Sequence, residues 1–328
     1  MEKRAFVTGG SGFIGSHLVE HLKASGYTEI RCLVRSSPKW LADIDGITLV
    51  RGSLFDTDVL EQALEGVDYV YHLAGVTRAP RPEVYYQGNV EATLRLLDTV
   101  QRVNPHLSRI LITSSLAAVG PSPDDQPLTE ETLLRPISTY GKSKAQMEQQ
   151  VRPYHDVLPI TIVRPPAVYG PRERDIYTFF RVVKRGLCPI IGDHRRPRLS
   201  LIHVTDLVQG IQKAAEVPRA RGQTYFLGSE TYYTWPHIRD AVLQALGTRA
   251  WTIRIPPSLV VLTGTVVEMA GRLMGHYPPL NREKAREMIA SWMCSVEKAR
   301  NELNFRQTIS LEEGIRQTVS WYQEHGWL

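Results

Sequence analysis

The chain has 328 residues, 42% of them apolar and 22% charged, which suits a folded enzyme-sized protein with a substantial core. Its formal charge of +5 is small for that length, and the basic residues are scattered apart from Arg195, Arg196 and Arg198, so nucleic-acid binding is not suggested. The three cysteines, Cys32, Cys188 and Cys294, lie far apart and form neither a disulfide framework nor a metal-ligand spacing. That usage implies a reducing compartment, and a strand-like run close behind Met1 implies no signal peptide, so a cytoplasmic location is expected. No apolar run reaches the ~20 residues that span a bilayer.

Taken in order, the first 165 residues alternate two kinds of apolar pattern. Strands are expected at 5–8, 30–34, 48–51, 69–73, 110–114 and 160–164, with helices at 12–25, 56–65, 83–103 and 138–155. This rhythm predicts an α/β fold, a Rossmann-type doubly wound parallel sheet with helices on both faces. Ligands then bind beyond the carboxyl ends of the strands. Residues 1–169 are expected to form the nucleotide-binding domain, with later core elements returning around 199–228. Residues 170–328 form a smaller, mostly helical substrate-binding portion.

Between the first strand and first helix lies Thr8-Gly9-Gly10-Ser11-Gly12-Phe13-Ile14-Gly15. A glycine-rich turn there aims free backbone N–H groups, and the positive end of the helix dipole, at an anion. Gly9 supplies a tight turn, Gly12 lets the backbone approach a pyrophosphate, and Gly15 lets the helix lie close to the strand. The second strand ends at Arg35, where an acidic side chain would select NAD. A guanidinium suits a 2′-phosphate instead, so NADP is favoured, with NAD possible and a surface arginine on the adenine as the bland alternative. Ser53 and Leu54 follow the third strand and are expected to wall the adenine pocket. Leu73, Ala74 and Gly75 end the fourth strand in small residues, as close approach to a cofactor requires, and Val76 and Thr77 lead on toward substrate.

Asn89 is either a polar helix residue or the holder of a water in a proton relay. The fifth strand ends Thr113-Ser114-Ser115, and Tyr140 and Lys144 follow four residues apart on one helix face. A phenol is a poor acid or base near neutrality. An adjacent ammonium is expected to lower its pKa, so that Tyr140 exchanges a proton with a carbonyl or alcohol oxygen that Ser115 also holds.

With these residues in place, the chain resembles the extended short-chain dehydrogenase/reductase superfamily, which includes NAD(P)-dependent epimerases, dehydratases and ketoreductases. The resemblance runs nearly end to end. It is carried by the glycine turn, Tyr140 with Lys144, Arg164 to Pro171, Ile202 to Asp206, Ser310 to Ile315, and Trp321-Tyr322. It implies that Ser115, Tyr140 and Lys144 are the catalytic set, assisted by Asn89, and that Lys144 and Thr113 also face the cofactor. It also places Pro165, Ala167 and Val168 at the nicotinamide and Tyr169 at the substrate mouth. A homodimer through the helices that include Tyr140 and Lys144 is implied in the same way.

Departures from the family pattern narrow the chemistry. Leu116-Ala117 follows Ser115 where sugar-nucleotide dehydratases carry acidic groups, so dehydration is disfavoured. Leu199 stands where many sugar-nucleotide epimerases hold a diphosphate with arginine, and Arg198 is one step off. Val119 and Ser53 replace the usual Tyr and Asp. The remaining pocket candidates are apolar or aromatic: Val76, Tyr85, Tyr86, Leu116, Ala117, Val168, Tyr169, Tyr177 and Phe180. They suit a lipophilic alcohol or ketone, closer to the 3β-hydroxysteroid dehydrogenase and dihydroflavonol reductase branches, or they are plain core. A sugar-nucleotide epimerase with tightly held NAD is the alternative.

Further on, helices are expected at 175–185, 205–216 and 235–246, and strands at 199–204 and 225–228. The apolar run at 258–274, flanked by Arg254 and Arg272, is read as a cap helix over the cleft, an interfacial helix touching lipid, or a subunit contact.

Overall fold

A computed structural model describes residues 2–123, 126–273, 278 and 281–328, without the side chains of 270–273. Its strands are β1 (Arg4–Thr8), β2 (Glu29–Val34), β3 (Thr48–Arg51), β4 (Tyr69–His72), β5 (Arg109–Thr113), β6 (Ile160–Arg164), β7 (Ala167–Tyr169), β8 (Leu187–Ile191), β9 (Leu201–His203), β10 (Thr224–Phe226) and β11 (Trp251–Ile255). Its α-helices begin with α1 (Phe13–Ala24), α2 (Thr57–Leu64), α3 (Pro82–Tyr86), α4 (Ala92–Val103), α5 (Thr139–Val151) and α6 (Tyr177–Lys184). They continue with α7 (Val204–Glu216), α8 (Trp235–Leu246), α9 (Pro257–Leu273), α10 (Arg282–Ile289), α11 (Glu297–Leu303) and α12 (Leu311–Glu324).

Seven parallel strands form the central sheet in the order β10-β6-β5-β4-β1-β2-β3. Ala5, Phe6 and Val7 of β1 are fully buried, because a central parallel strand is covered on both faces. Leu18, Leu22, Leu207 and Ile211, from α1 and α7, pack into the core on one face. Leu60, Leu64, Leu97, Val100, Met147 and Val151, from α2, α4 and α5, pack into the core on the other. The chain passes from β1 outward to β2 and β3, then returns to β4 on the opposite side. The crevice at the carboxyl ends of β1 and β4 is therefore the topological switch point.

A second apolar cluster joins α6, α8, α12 and β8 through Phe180, Ile190, Val242, Ile315 and Tyr322. A smaller one packs Val260 of α9 against Ala285 of α10. Beside the main sheet stand two parallel pairs, β8 with β11 and β7 with β9.

The six early strands fall within a residue or so of expectation. The single helix expected at 83–103 is instead α3, a π-helical turn at Gln87–Glu91, and α4. Such wide turns concentrate at functional sites, and this one carries Asn89. Strands β7, β8 and β11, and helices α10, α11 and α12, are not among the expected elements. Met274 and the Arg272 side chain, both in the flagged apolar segment, lie outside the described residues.

Candidate active site

At the top of β1 the chain turns with Gly9 at φ 75°, a conformation that L side chains rarely adopt. A Cβ on Gly9 would lie 2.6 Å from the Ala74 backbone nitrogen, so the turn presses on the end of β4. A Cβ on Gly15 would lie 2.1 Å from the Gly9 carbonyl oxygen. Gly12, the N-cap of α1, has no side chain to bond the first-turn N–H groups, which leaves them for an anion.

Below this turn, buried His72 bridges Thr8 Oγ1 at 2.7 Å through Nδ1 and Thr93 Oγ1 at 2.8 Å through Nε2. Burial pushes the imidazole down to about 3, so the ring is neutral at ordinary pH. The Ala74 N–H donates to Thr8 Oγ1 at 3.3 Å, which ties the loop after β4 to β1. Buried Asn89 holds the next residue: its Oδ1 accepts from the Val76 N–H at 2.7 Å, and its Nδ2 donates to the Val76 carbonyl at 3.0 Å. Nδ2 also donates to Ser143 Oγ at 2.9 Å, and Ser143 donates to the Tyr140 carbonyl at 2.7 Å. The Asn89 amide is thus a clamp between the β4 loop and α5.

Ser115 follows β5 and caps a short 3₁₀ turn, its Oγ accepting from the Ala117 N–H at 3.1 Å. The Tyr140 phenol and Ser115 line one cavity, and the Ser115 hydroxyl acts to lower the phenol's pKa. Lys144, 6% exposed, donates from Nζ to the Thr113 carbonyl at 2.8 Å. Its Nζ lies 3.3 Å from the point where a Cβ on Gly75 would sit. Gly9 touches Ala74 and Gly75 neighbours Lys144, so the glycine turn and the Tyr140 helix face one crevice. One turn below Lys144, Ser114 donates to Glu148 Oε1 at 2.5 Å. Arg164 of β6 grips the same buried carboxylate, with Nη2 at 2.5 Å from Oε2. This pair locks α5 to the sheet.

The electrostatics correct one expectation. Burial pushes the Tyr140 phenol up to about 12; the Ser115 hydroxyl opposes the rise and Glu287 adds to it. The ammonium bonds the Thr113 carbonyl, and burial brings its own pKa down to about 8, with Glu148 opposing. Desolvation outweighs the Tyr–Lys attraction.

Beyond Ser115 and Tyr140 opens a cavity of about 540 Å³. Leu116, Ala117, Val168, Tyr169 and Phe180 line it, as the sequence suggests, and so does Ala167, which was expected at the nicotinamide. Its far walls are Phe179 of α6, Trp235 and Ile238 of α8, Met288 of α10, Trp292, and Leu311 and Ile315 of α12. The sequence reading missed these; the apolar faces of α8 and α12 held the only signal. Leu199 faces the cavity, whereas the Arg198 guanidinium lies over the Tyr232 ring at 5.3 Å. The one-residue offset therefore puts a hydrocarbon side chain where a diphosphate grip would be.

The family model for the NAD dependent epimerase/dehydratase family matches residues 5–228. The chain belongs to this family. It is 27% identical over 326 residues to a ceramide reductase of Caulobacter vibrioides, covering 98% of this chain and 95% of that protein. It is 24% identical to the N-acetyl-alpha-D-glucosaminyl-diphospho-ditrans,octacis-undecaprenol 4-epimerase of Escherichia coli O157:H7, covering 99% and 97%. Among solved structures, the dTDP-glucose 4,6-dehydratase DesIV of Streptomyces venezuelae, with NAD and TYD bound, is 27% identical. It superposes with a TM-score of 0.80 over 99% of this chain and 98% of that one. The protein is thus an NAD(P)-dependent enzyme of the extended short-chain dehydrogenase/reductase superfamily.

The chain's own residues fit the family's dinucleotide. The glycine turn leaves no room for a Cβ at Gly9 or Gly15, a buried ammonium faces Gly75, and Thr113 Oγ1 is buried without a partner among the described residues. Around that turn, Phe13 and Ile14 are half-buried against the core, as is Leu73. Arg35 is exposed past the end of β2. Ser53 accepts from the Phe55 N–H at 3.2 Å, and Leu54 packs on the core beneath the sheet. Pro165 is set by its carbonyl, which accepts from the Leu116 N–H at 2.9 Å.

Several expected substrate contacts are corrected. Val76 is held by Asn89 and Thr77 is exposed, and neither lines the cavity. Tyr85 packs beside Tyr140 with ring centroids 6.4 Å apart, and Tyr86 packs on the core beneath the sheet. Tyr177 donates to the Trp327 carbonyl at 2.5 Å, within the aromatic cluster around Tyr322. Helix α9 backs α10 through Val260 and Gly264, so among the described residues α10 and not α9 lines the cavity.

Proposed function

We propose that this enzyme moves a hydride between NADP(H) and a lipophilic secondary alcohol or its ketone. The observation that carries the reading is that Ser115 and Tyr140 together line a largely apolar cavity. A bound nicotinamide supplies or accepts the hydride. The N–H groups from Gly12 to Gly15 hold the pyrophosphate, and Gly9 shapes the turn. Arg35 takes the 2′-phosphate, and Ser53 and Leu54 flank the adenine. Leu73, Ala74, Gly75, Thr113 and Lys144 would hold the ribose of a bound dinucleotide, and Pro165, Ala167 and Val168 would hold its nicotinamide.

Ser115 donates to the carbonyl oxygen, and Tyr140 gives that oxygen a proton as the ketone becomes an alcohol; the reverse direction returns it. A phenol held near 12 is protonated at neutral pH and so has a proton to give. No acidic group follows Ser115 to drive loss of water. Leu116, Val168, Phe179, Trp235 and Met288 exclude water and bury the substrate's hydrocarbon part.

The outward face of α9 suggests how such substrates arrive. Leu259, Leu262, Val266 and Met269 lie on one side of the helix and are half or more exposed. Trp251, 84% exposed, and Arg254 stand on β11 just before it. We propose that this face rests on a lipid surface, apolar residues down and arginine at the headgroups.

The test is a nucleotide titration followed by single turnovers of Tyr140→Phe. Wild type is expected to bind NADPH at least tenfold tighter than NADH. Tyr140→Phe should lose about 10²–10⁴ in kcat with the NADPH Kd within twofold. NAD retained through dialysis, with turnover of UDP-sugars, would establish the epimerase reading instead.

A further inference from the structure

The cavity is apolar on most sides, but α10 brings two charges to it, Lys284 and Glu287. The other two lining carboxylates are already engaged. Glu173 accepts from the N–H groups of Asp175 and Ile176 at 2.8 and 2.5 Å, and Asp175 pairs with Arg78 at 2.7 Å. Glu287 is different. Its Oε2 meets Lys284 Nζ at 3.1 Å, and that lysine side chain is 55% exposed, so the ion pair is weak and exchangeable. The Glu287 side chain itself is only 16% exposed.

Its position is also fixed. One turn earlier on α10, Glu283 accepts from the Thr139 N–H at 2.7 Å and from Thr139 Oγ1 at 3.1 Å. Thr139 immediately precedes Tyr140, so α10 is registered on the start of α5. The Glu287 carbonyl accepts from the Trp292 indole at 2.8 Å, which steadies the end of the helix. Glu287 shares the cavity with Ser115 and Tyr140, and its charge acts on the phenol.

We infer that Glu287 is a specificity residue, which accepts a hydrogen bond from a hydroxyl or N–H that the substrate carries in addition to its reacting carbonyl. This rests on the proposed ketone reduction and names its substrate class: a long-chain ketone that also carries a hydrogen-bond donor. The hydrocarbon tail fills the apolar walls, and the donor displaces the Lys284 ammonium from the carboxylate. With a plain ketone the carboxylate keeps only its weak pair with Lys284, and the hydrogen bond that the donor-bearing substrate makes is missing.

The test compares 1-hydroxydodecan-2-one with dodecan-2-one, using NADPH and the full chain. Wild type is expected to favour the hydroxyketone at least tenfold in kcat/KM. In Glu287→Gln that ratio falls below about twofold, and the basic limb of the pH profile moves to lower pH because the phenol loses a neighbouring negative charge. Lys284→Met frees the carboxylate and keeps or raises the ratio, which guards against a Glu287 variant that fails to fold. Turnover of both ketones at equal kcat/KM by wild type would overturn this inference alone. A ratio that survives Glu287→Gln, or that collapses in Lys284→Met, would do the same. Turnover of neither ketone would remove the reading of the site, and this inference with it.

Discussion

The two walls of the crevice are built from different material. On the cofactor side, backbone touches backbone: Gly9 on Ala74, Gly15 on Gly9, and Val76 bonded at both N–H and carbonyl by Asn89. On the substrate side, side chains from α6, α8, α10 and α12 meet across a cavity of about 540 Å³. The first wall admits no extra atom. The second can be rebuilt one side chain at a time, so one scaffold can keep its nucleotide chemistry while its substrate changes.

The largest effect that tests this contrast is expected from Gly15→Ala. The new Cβ would stand 2.1 Å from the Gly9 carbonyl oxygen, with only backbone available to yield. NADPH affinity should fall by more than about 100-fold, with a lowered melting temperature, because the turn and the start of α1 move apart. Ile238→Ala in the cavity is the counterpart. It should leave the NADPH Kd within about twofold while raising KM for a lipophilic ketone. Calorimetric titration reads both, and a Gly15→Ala protein that binds nucleotide normally would erase the distinction.

The same contrast explains what the sequence revealed. The early strands, the glycine turn and the Ser115, Tyr140 and Lys144 set follow from local patterns, in which spacing alone fixes geometry. The walls of the cavity do not. Arg282–Ile289 is a strongly polar helix, and nothing local shows that Glu287 faces Tyr140, which is 147 positions earlier and brought near by Glu283 bonding Thr139. Likewise Tyr85 and Tyr177 carry plausible aromatic rings, yet only tertiary packing decides that they turn away from the cavity. The phenol's pKa was misjudged for a related reason. Spacing puts Lys144 on the same helix face, but the Thr113 carbonyl takes the ammonium and burial sets the balance.

A second effect, measured on the cofactor wall, should appear as acid sensitivity. His72 is neutral between Thr8 and Thr93, with its pKa brought down to about 3 by burial, against about 6.5 in an unfolded chain. The folded form therefore binds fewer protons than the unfolded form in that window. Stability is whole above about pH 6.5 and is lost progressively as pH falls toward 3, by on the order of 4 kcal/mol from this residue. Denaturant unfolding followed by circular dichroism at stepped pH would show it. His72→Gln keeps a polar bridge without titrating, and should flatten that slope even though it lowers stability at pH 7. An unchanged slope would mean that the strain of acidification lies elsewhere, with His203 as the next group to examine, since burial holds it near 4.

The smallest effect lies outside both walls, on α9. Leu259, Leu262, Val266 and Met269 project away from α10, while Val260 and Gly264 pack toward it. Burying four such half-exposed side chains in a lipid interface gains on the order of 1 kcal/mol each, and Arg254 adds attraction to anionic headgroups. Sedimentation with phosphatidylglycerol vesicles should therefore carry down the wild-type protein. The double variant Leu262→Glu with Val266→Glu should bind about tenfold more weakly, with an unchanged melting temperature and an unchanged rate on a short, water-soluble ketone. Phosphatidylcholine vesicles separate the two contributions: a lipid contact made mainly by hydrocarbon persists there, whereas one made mainly by arginine disappears. If the double variant sediments like wild type, α9 is not the contact, and lipophilic substrates must reach Trp235 and Met288 from solution.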